Sequence, residues 1–184
     1  LAMPTVASDG PAPANTKFYD EVKTWIRLLS ERSYGLARSG AIPIFMGGDH
    51  SLSMGSVNGI ARHWQEQGRP LFVLWLDAHA DYNTPTTTET GNMHGMSAAF
   101  LCGEPGLDNL LGELPRSPIS PDQLDLFGTR SIDPLERKLL RDRHVAVADM
   151  RALTEAPAAT RLGSPECVSV CWSPLRHSLS LSLS

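Results

Sequence analysis

An unbroken apolar run, LFVLWL at residues 71–76, passes directly into Asp77-Ala78-His79-Ala80-Asp81. Six apolar residues have the length of a buried strand and fall far short of the roughly 20 needed to span a bilayer. Three ionisable side chains at the carboxyl end of such a strand are expensive to bury without a compensating charge. This junction therefore demands a covered sheet with something cationic at its end.

The flanking sequence supplies the sheet and its cover. Residues 1–16, rich in Pro, Ala and Gly, read as an irregular lead-in. Over 17–38 the pattern turns helical, with Val22, Trp25, Ile26 and Leu29 on one face and Gly40 as the stop. The run AIPIFM at 41–46, bounded by Gly47 and Gly48, reads as another buried strand. A second helix carries Val57, Ile60, Ala61 and Trp64 and ends near Gly68; Trp25 and Trp64 occupy its and its predecessor's core positions. Residues 83–122 read mostly as loop, with a short helix at 97–101. A strand at 123–128, a helix opened by Asp133-Pro134 and a strand at 145–147 follow. Beyond about Arg161 no element is assigned, and the chain closes on LRHSLSLSLS.

Helices alternating with short apolar strands favour a parallel sheet in an α/β fold. At 184 residues, 41% hydrophobic and 20% charged, the composition is globular. Sixteen Lys and Arg against 20 Asp and Glu leave a net charge of −4, which gives no electrostatic reason to expect nucleic acid or an anionic membrane. Three cysteines without framework spacing fit a reducing compartment, so a cytoplasmic location is expected. Cys102 reads as packing, and Cys167 and Cys171 lack the spacing of a zinc site.

The chemistry concentrates where the two apolar runs end. In extended backbone, Asp77, His79 and Asp81 at i, i+2 and i+4 point to one side. His50 leaves the preceding run at the same end of the sheet, where open parallel sheets bind ligands. Taken alone, His50 reads equally as a turn residue, with Asp49 as a helix cap. Taken together, carboxylates and imidazole suit a divalent metal, and Asp-rich sites lean to Mn or Mg over Zn.

GGDHS (47–51), DAHAD (77–81), NTP (83–85), TTT (86–88) and GNMHG (91–95) resemble the manganese-dependent ureohydrolases, arginases in particular, over about residues 11–152. DAHAD is shared across ureohydrolases, whereas the loop from NTP to GNMHG is specific to arginases. The resemblance implies a three-layer αβα fold with a mainly parallel sheet, shared with zinc deacetylases and incomplete here. It implies a hydrolase of linear amidines that converts L-arginine to L-ornithine and urea at two Mn2+ ions, in arginine metabolism and the urea cycle. His50, Asp77 and Asp81 would hold one metal, with His79 and a bridging Asp77 on the other. His94 matches the proton-shuttling histidine. Asn83, Thr88 and Thr90 match residues that bind the substrate's α-carboxylate, with His79 beside them; Thr90 stands where serine is frequent. Asp133 and Glu136 match the acidic pair facing the α-amino group, although both equally suit the first turn of a helix. Family members are commonly homotrimers or hexamers.

The family also requires two later aspartates in an Asp-x-Asp pattern and a glutamate beyond them. After Leu153 this chain has only Glu155 and Glu166 as acidic residues. The expectation is a partial arginase-like domain over 17–152, an aberrant or disordered tail over 153–184 arising from a frame shift near 153–162, a truncated front, and impaired activity. An agmatinase-like hydrolase and a non-catalytic metal-binding subunit are the alternatives.

Overall fold

The computed structural model describes residues 4–6 and 10–151 together with the backbone of 168–172. The described part of the lead-in has neither helix nor strand, and Lys17 N–H ties its end to the Gly91 carbonyl at 2.9 Å. Helix α1 (Tyr19–Arg38) buries Ile26 and Leu29. Its stop follows the expected chemistry. Gly40, at φ +77°, donates to Ala37 O at 3.1 Å while Ala41 donates to Leu36 O at 3.2 Å. These paired bonds satisfy the last helical carbonyls, and a left-handed residue there is tolerated best as glycine.

Helix α2 (Ser51–Gln65) lies against α1 at unusually close approach. A Cβ at Gly55 would collide with the Ile26 carbonyl, and one at Gly59 with Ser33 Oγ and the Ser30 carbonyl. Between them Asn58, 1% exposed, donates to Ser30 Oγ and the Pro115 carbonyl and accepts from Ser117 N–H. Met54, Val57 and Ala61 complete the buried face. Trp64 is only partly buried against this core, and Trp25 is partly buried outside the core cluster, so neither occupies the central position its helical spacing suggests. The cause is the glycine contact, which fills the middle of the interface with backbone instead of rings.

The sheet is parallel throughout its described strands, in the order β3-β2-β1-β4. Strand β1 (Phe72–Leu76) is central, with Trp75 opposite Leu126 of β2 (Leu124–Thr129) on one side. Short helix α3 (Ser97–Leu101) and helix α4 (Pro134–Asp142) lie in the connections, and β3 (Ala146–Asp149) forms one edge. Val73 and Trp75 are buried while Phe72, Leu74 and Leu76 are partly covered. This pattern fits an incomplete α/β sandwich, with one sheet face fully covered and the other in part.

Two segments depart from expectation. Residues 41–46 are not a buried strand: Ile42 and Met46 are more than nine-tenths exposed, Ile44 is 84% exposed, and the segment has no sheet partner among the described residues. An apolar run becomes a strand only where a neighbour takes its amides and carbonyls, and here none of the described strands does. Conversely β4 (Val168–Trp172), in a stretch given no element from sequence, pairs in parallel with the whole of β1. The remainder of 153–184, including Cys167 and the Ser/Leu ending, lies outside the described residues. No helix among the described residues is long and apolar enough to cross a membrane.

Candidate metal centre

The backbone beyond β1 continues as an extension of the sheet. Asp77 N–H donates to Phe127 O at 3.2 Å, Arg130 and Ser131 both donate to Ala78 O, and His79 forms a parallel bridge with Ser131. The chain then turns. Asp81 adopts a left-handed conformation, φ +49°, and its carbonyl accepts from Ala98 N–H at the start of α3 at 2.9 Å. For a residue with a Cβ this conformation is uncommon and is held only by its surroundings. The extended i, i+2, i+4 reading therefore holds at Asp77 and His79 and fails at Asp81, because α3 captures the Asp81 carbonyl.

That turn is what makes the centre. His50 Nδ1 lies 2.9 Å from Asp77 Oδ2 and 2.6 Å from Asp81 Oδ2, and both carboxylates are buried. Ligand atoms of these three residues all lie within 4.8 Å of one another. Two carboxylates and one imidazole at this range suit an oxygen-preferring divalent cation such as Mn2+ or Mg2+. Burial pulls the His50 pKa down, but hydrogen bonds and charge from Asp77 and Asp81 outweigh it and raise it to about 9. Burial raises the Asp81 carboxyl above its usual range against the opposing pull of His50. For Asp77 burial also works upward, yet His50 and the His79 amide prevail and hold it low. One imidazolium shared between two carboxylates is the electrostatic counterpart of a cation held by the same three groups.

The other histidines stand apart. His79 is exposed, with Nδ1 3.6 Å from Asp77 Oδ1, so it approaches the centre through Asp77 alone. His94, in a 3-10 turn before α3, is half exposed and faces Asp49 at 3.5 Å. Hydrogen bonding to Asp49 raises the His94 pKa despite partial burial. Asp49 also caps the approach to α2, accepting from Ser51 N–H at 3.0 Å and Ser51 Oγ at 2.5 Å, so it is both turn residue and partner of His94. Ser97 Oγ, 2.9 Å from the His50 carbonyl and 2.9 Å from that of His94, ties the two histidine-bearing segments together. Trp75 packs edge-on to the His50 ring at 4.8 Å and restricts its rotation.

Asn83 and Asp133 meet a short distance along the loop. Asn83 Nδ2 donates to Asp133 Oδ2 at 3.1 Å and its Oδ1 accepts from Thr87 at 2.9 Å. Asp133 and Glu136 form a capping box at the start of α4. Glu136, 3% exposed, accepts from Asp133 N–H at 3.1 Å and Tyr82 N–H at 2.7 Å, and burial raises its pKa to about 7. Thr88 and Thr90 accept from Gly91 N–H and Asn92 N–H respectively, which leaves each hydroxyl proton free to donate.

Comparison with known proteins decides the family. The Arginase family profile matches residues 5–163. The chain belongs to the arginase family. It is 42% identical over 155 residues to the arginase of Agrobacterium fabrum, covering 84% of this chain and 47% of that protein. Against the arginase of Brucella melitensis identity is 44% over 138 residues, covering 75% and 44% respectively. The fold resembles the crystal structure of Bacillus subtilis arginase with a TM-score of 0.68 at 32% identity, covering 78% of this chain and 48% of that one. For Bacillus caldovelox arginase the TM-score is 0.71 at 29% identity, with 83% and 50% covered. The chain thus spans about half the length of the curated relatives it matches.

Within this arginase-family chain, sequence reasoning finds the three converging ligands but misses their supports. Ser97, Trp75 and Tyr82 carry no ligand chemistry, and only the fold brings them to His50 and Asp81. Asp49 was legible as a cap through its spacing to Ser51, but its pairing with His94 spans a loop and has no local signal.

Proposed function

We propose that this chain carries the first half of an arginase centre, built for Mn2+-dependent hydrolysis of L-arginine to L-ornithine and urea. The observation that carries the reading is the convergence of His50 Nδ1, Asp77 Oδ2 and Asp81 Oδ2 at the end of β1. Those three would hold one Mn2+, and His79, beside Asp77, would serve a second with Asp77 between them. When bound, such cations lower the pKa of water and so supply a nucleophile at neutral pH.

The chain's own residues do the rest. His94 keeps Nδ1 toward Asp49, which stabilises its protonated form and leaves Nε2 to pass a proton to the departing amine. Asn83, Thr88 and Thr90 offer donors to an α-carboxylate, and the Asp133 carboxylate is the acceptor for an α-ammonium, with Glu136 behind it. His79, exposed at the mouth, adjoins that pocket. The compartment proposed is the cytoplasm, supported by three cysteines without a pairing pattern. Homotrimeric or hexameric assembly belongs to this proposal through the family alone. So do the division at 17–152 and the origin of 153–184 in a frame shift.

The purified chain, titrated with Mn2+ and offered L-arginine and agmatine separately, tests the reading. Expected is Mn2+ binding with little or no ornithine release, because the Asp-x-Asp pair is absent from the sequence after Leu153. Absence of Mn2+ binding would overturn the metal assignment. Ornithine release at enzymatic rates would overturn the expectation of impairment, and preference for agmatine would favour the agmatinase alternative.

A further inference from the structure

Tyr82 follows the left-handed Asp81 directly and is fully buried. It is held at two points by groups that lie far apart in sequence. Its amide donates to Glu136 Oε1 at 2.7 Å, and its hydroxyl lies 3.3 Å from Glu104 Oε1. Glu104, 5% exposed, receives two parallel bonds from Arg143, Nε to Oε1 at 2.6 Å and Nη2 to Oε2 at 3.0 Å. Arg143 is the residue that ends α4, and Glu136 stands in that helix's first turn. Both ends of α4 therefore act on one tyrosine, the first through the main chain and the second through the side chain.

On the other side of Asp81 the start of α3 holds the carbonyl, through Ala98 N–H at 2.9 Å and Ala99 N–H at 3.4 Å. A left-handed, non-glycine ligand residue is retained only where its neighbours over-determine it. The Asp81 peptide groups are thus fixed on both flanks. Bidentate guanidinium–carboxylate pairs combine strength with a set geometry, which suits Arg143 and Glu104 to hold a ring in place. Burial, with Cys102 and Glu104 nearby, raises the Tyr82 hydroxyl pKa, so the group stays a donor.

We propose that Tyr82, clamped between Glu136 and the Glu104–Arg143 pair, is a positioning residue that keeps the Asp81 backbone left-handed and so presents its carboxylate to the metal. The proposal deepens the metal reading of His50, Asp77 and Asp81 and rests on it. Neither Tyr82 nor Glu104 nor Arg143 touches metal or substrate in this arrangement. Their effect passes through the Asp81 main chain.

The test uses the whole chain and the variants Y82F, R143M and R143K. Two quantities are read: hydrogen exchange of the Tyr82 amide in metal-free protein, and the Mn2+ dissociation constant by calorimetry. Y82F keeps the ring and removes only the hydroxyl, and Arg143 is half exposed, so neither change threatens the core. In Y82F and R143M the Tyr82 amide exchanges faster and Mn2+ binds about tenfold more weakly, the loss typical when a partner behind a metal ligand is removed. R143K restores part of both. If both variants lower thermal stability yet leave Tyr82 exchange and Mn2+ affinity unchanged, the clamp is merely structural and the proposal fails. Should wild-type chain bind no Mn2+, the metal reading falls, while exchange at the Tyr82 amide still decides whether the clamp acts on Asp81.

Discussion

His50 Nδ1 stands 2.6 Å from Asp81 Oδ2 while 2.9 Å from Asp77 Oδ2, so one ring nitrogen serves two buried carboxylates. Neither acid could keep its charge at this depth without the imidazolium, and the imidazolium owes its proton to them. A metal can enter only by displacing that proton.

Binding should therefore release a proton and strengthen with pH. The folded His50 pKa is raised to about 9 against an ordinary 6.5, so the charged ring stabilises the metal-free fold. That contribution is complete below pH 6.5 and is lost as pH climbs through 9. His94, raised by Asp49, adds with the same sign. The metal-free chain should lose thermal stability between pH 6.5 and 9 while Mn2+ affinity rises over the same window. Calorimetry in two buffers of different ionisation enthalpy counts the protons; binding without release contradicts the shared-proton arrangement.

Replacing either acid should remove the metal without unfolding the sheet. D77N and D81N keep shape and hydrogen-bonding atoms but remove the charge a cation needs. Mn2+ affinity should fall by more than about 100-fold, beyond the range seen for residues behind the ligands. Manganese titration followed by electron paramagnetic resonance reads the loss, and retained affinity in both variants would refute the assignment.

Asp49 sets the proton affinity of His94. D49N should bring the His94 pKa down toward the ordinary value of about 6.5, because both the hydrogen bond and the negative charge are withdrawn. An NMR titration of the imidazole protons follows it directly. An unchanged midpoint would mean that the 3.5 Å approach carries no energy.

The α1–α2 contact admits no added methyl. G59A must displace Ser33 Oγ or the α1 backbone, and overpacking of this kind costs about 1–3 kcal/mol. Urea denaturation should show a lowered midpoint with an unaltered slope. A silent G59A would imply that the two helices separate more easily than their interface suggests.

How much of this was readable beforehand depends on how local the cause is. Helices α1 and α2 and strand β1 announce themselves because each buries one face at a regular period, and the Asp133 capping box lies within four residues of sequence. The ligands His50, Asp77 and Asp81 are legible because their chemistry is costly unless satisfied together. Residues 41–46 mislead for the opposite reason: apolarity states a preference for burial but not the identity of a neighbour. The left-handed turn at Asp81 is hidden because its cause is α3, sixteen residues further on. The Tyr82 clamp depends on Glu104 and Arg143, which nothing in their local sequence connects.

The pairing of β1 with β4 also bears on when the centre can form. Phe72 stands in register with Val168, so this side of the central strand is joined only after a loop of nearly a hundred residues closes. Such distant pairings form slowly, since chain entropy is spent before contacts repay it. As the polypeptide leaves the ribosome, β1 gains β2 early and waits for its second neighbour until residues 168–172 emerge. During that interval the strand leading to Asp77 and Asp81 has an open edge, and premature capture of a cation there would bind a half-built sheet. Synthesis order, as much as final geometry, governs how this centre is assembled.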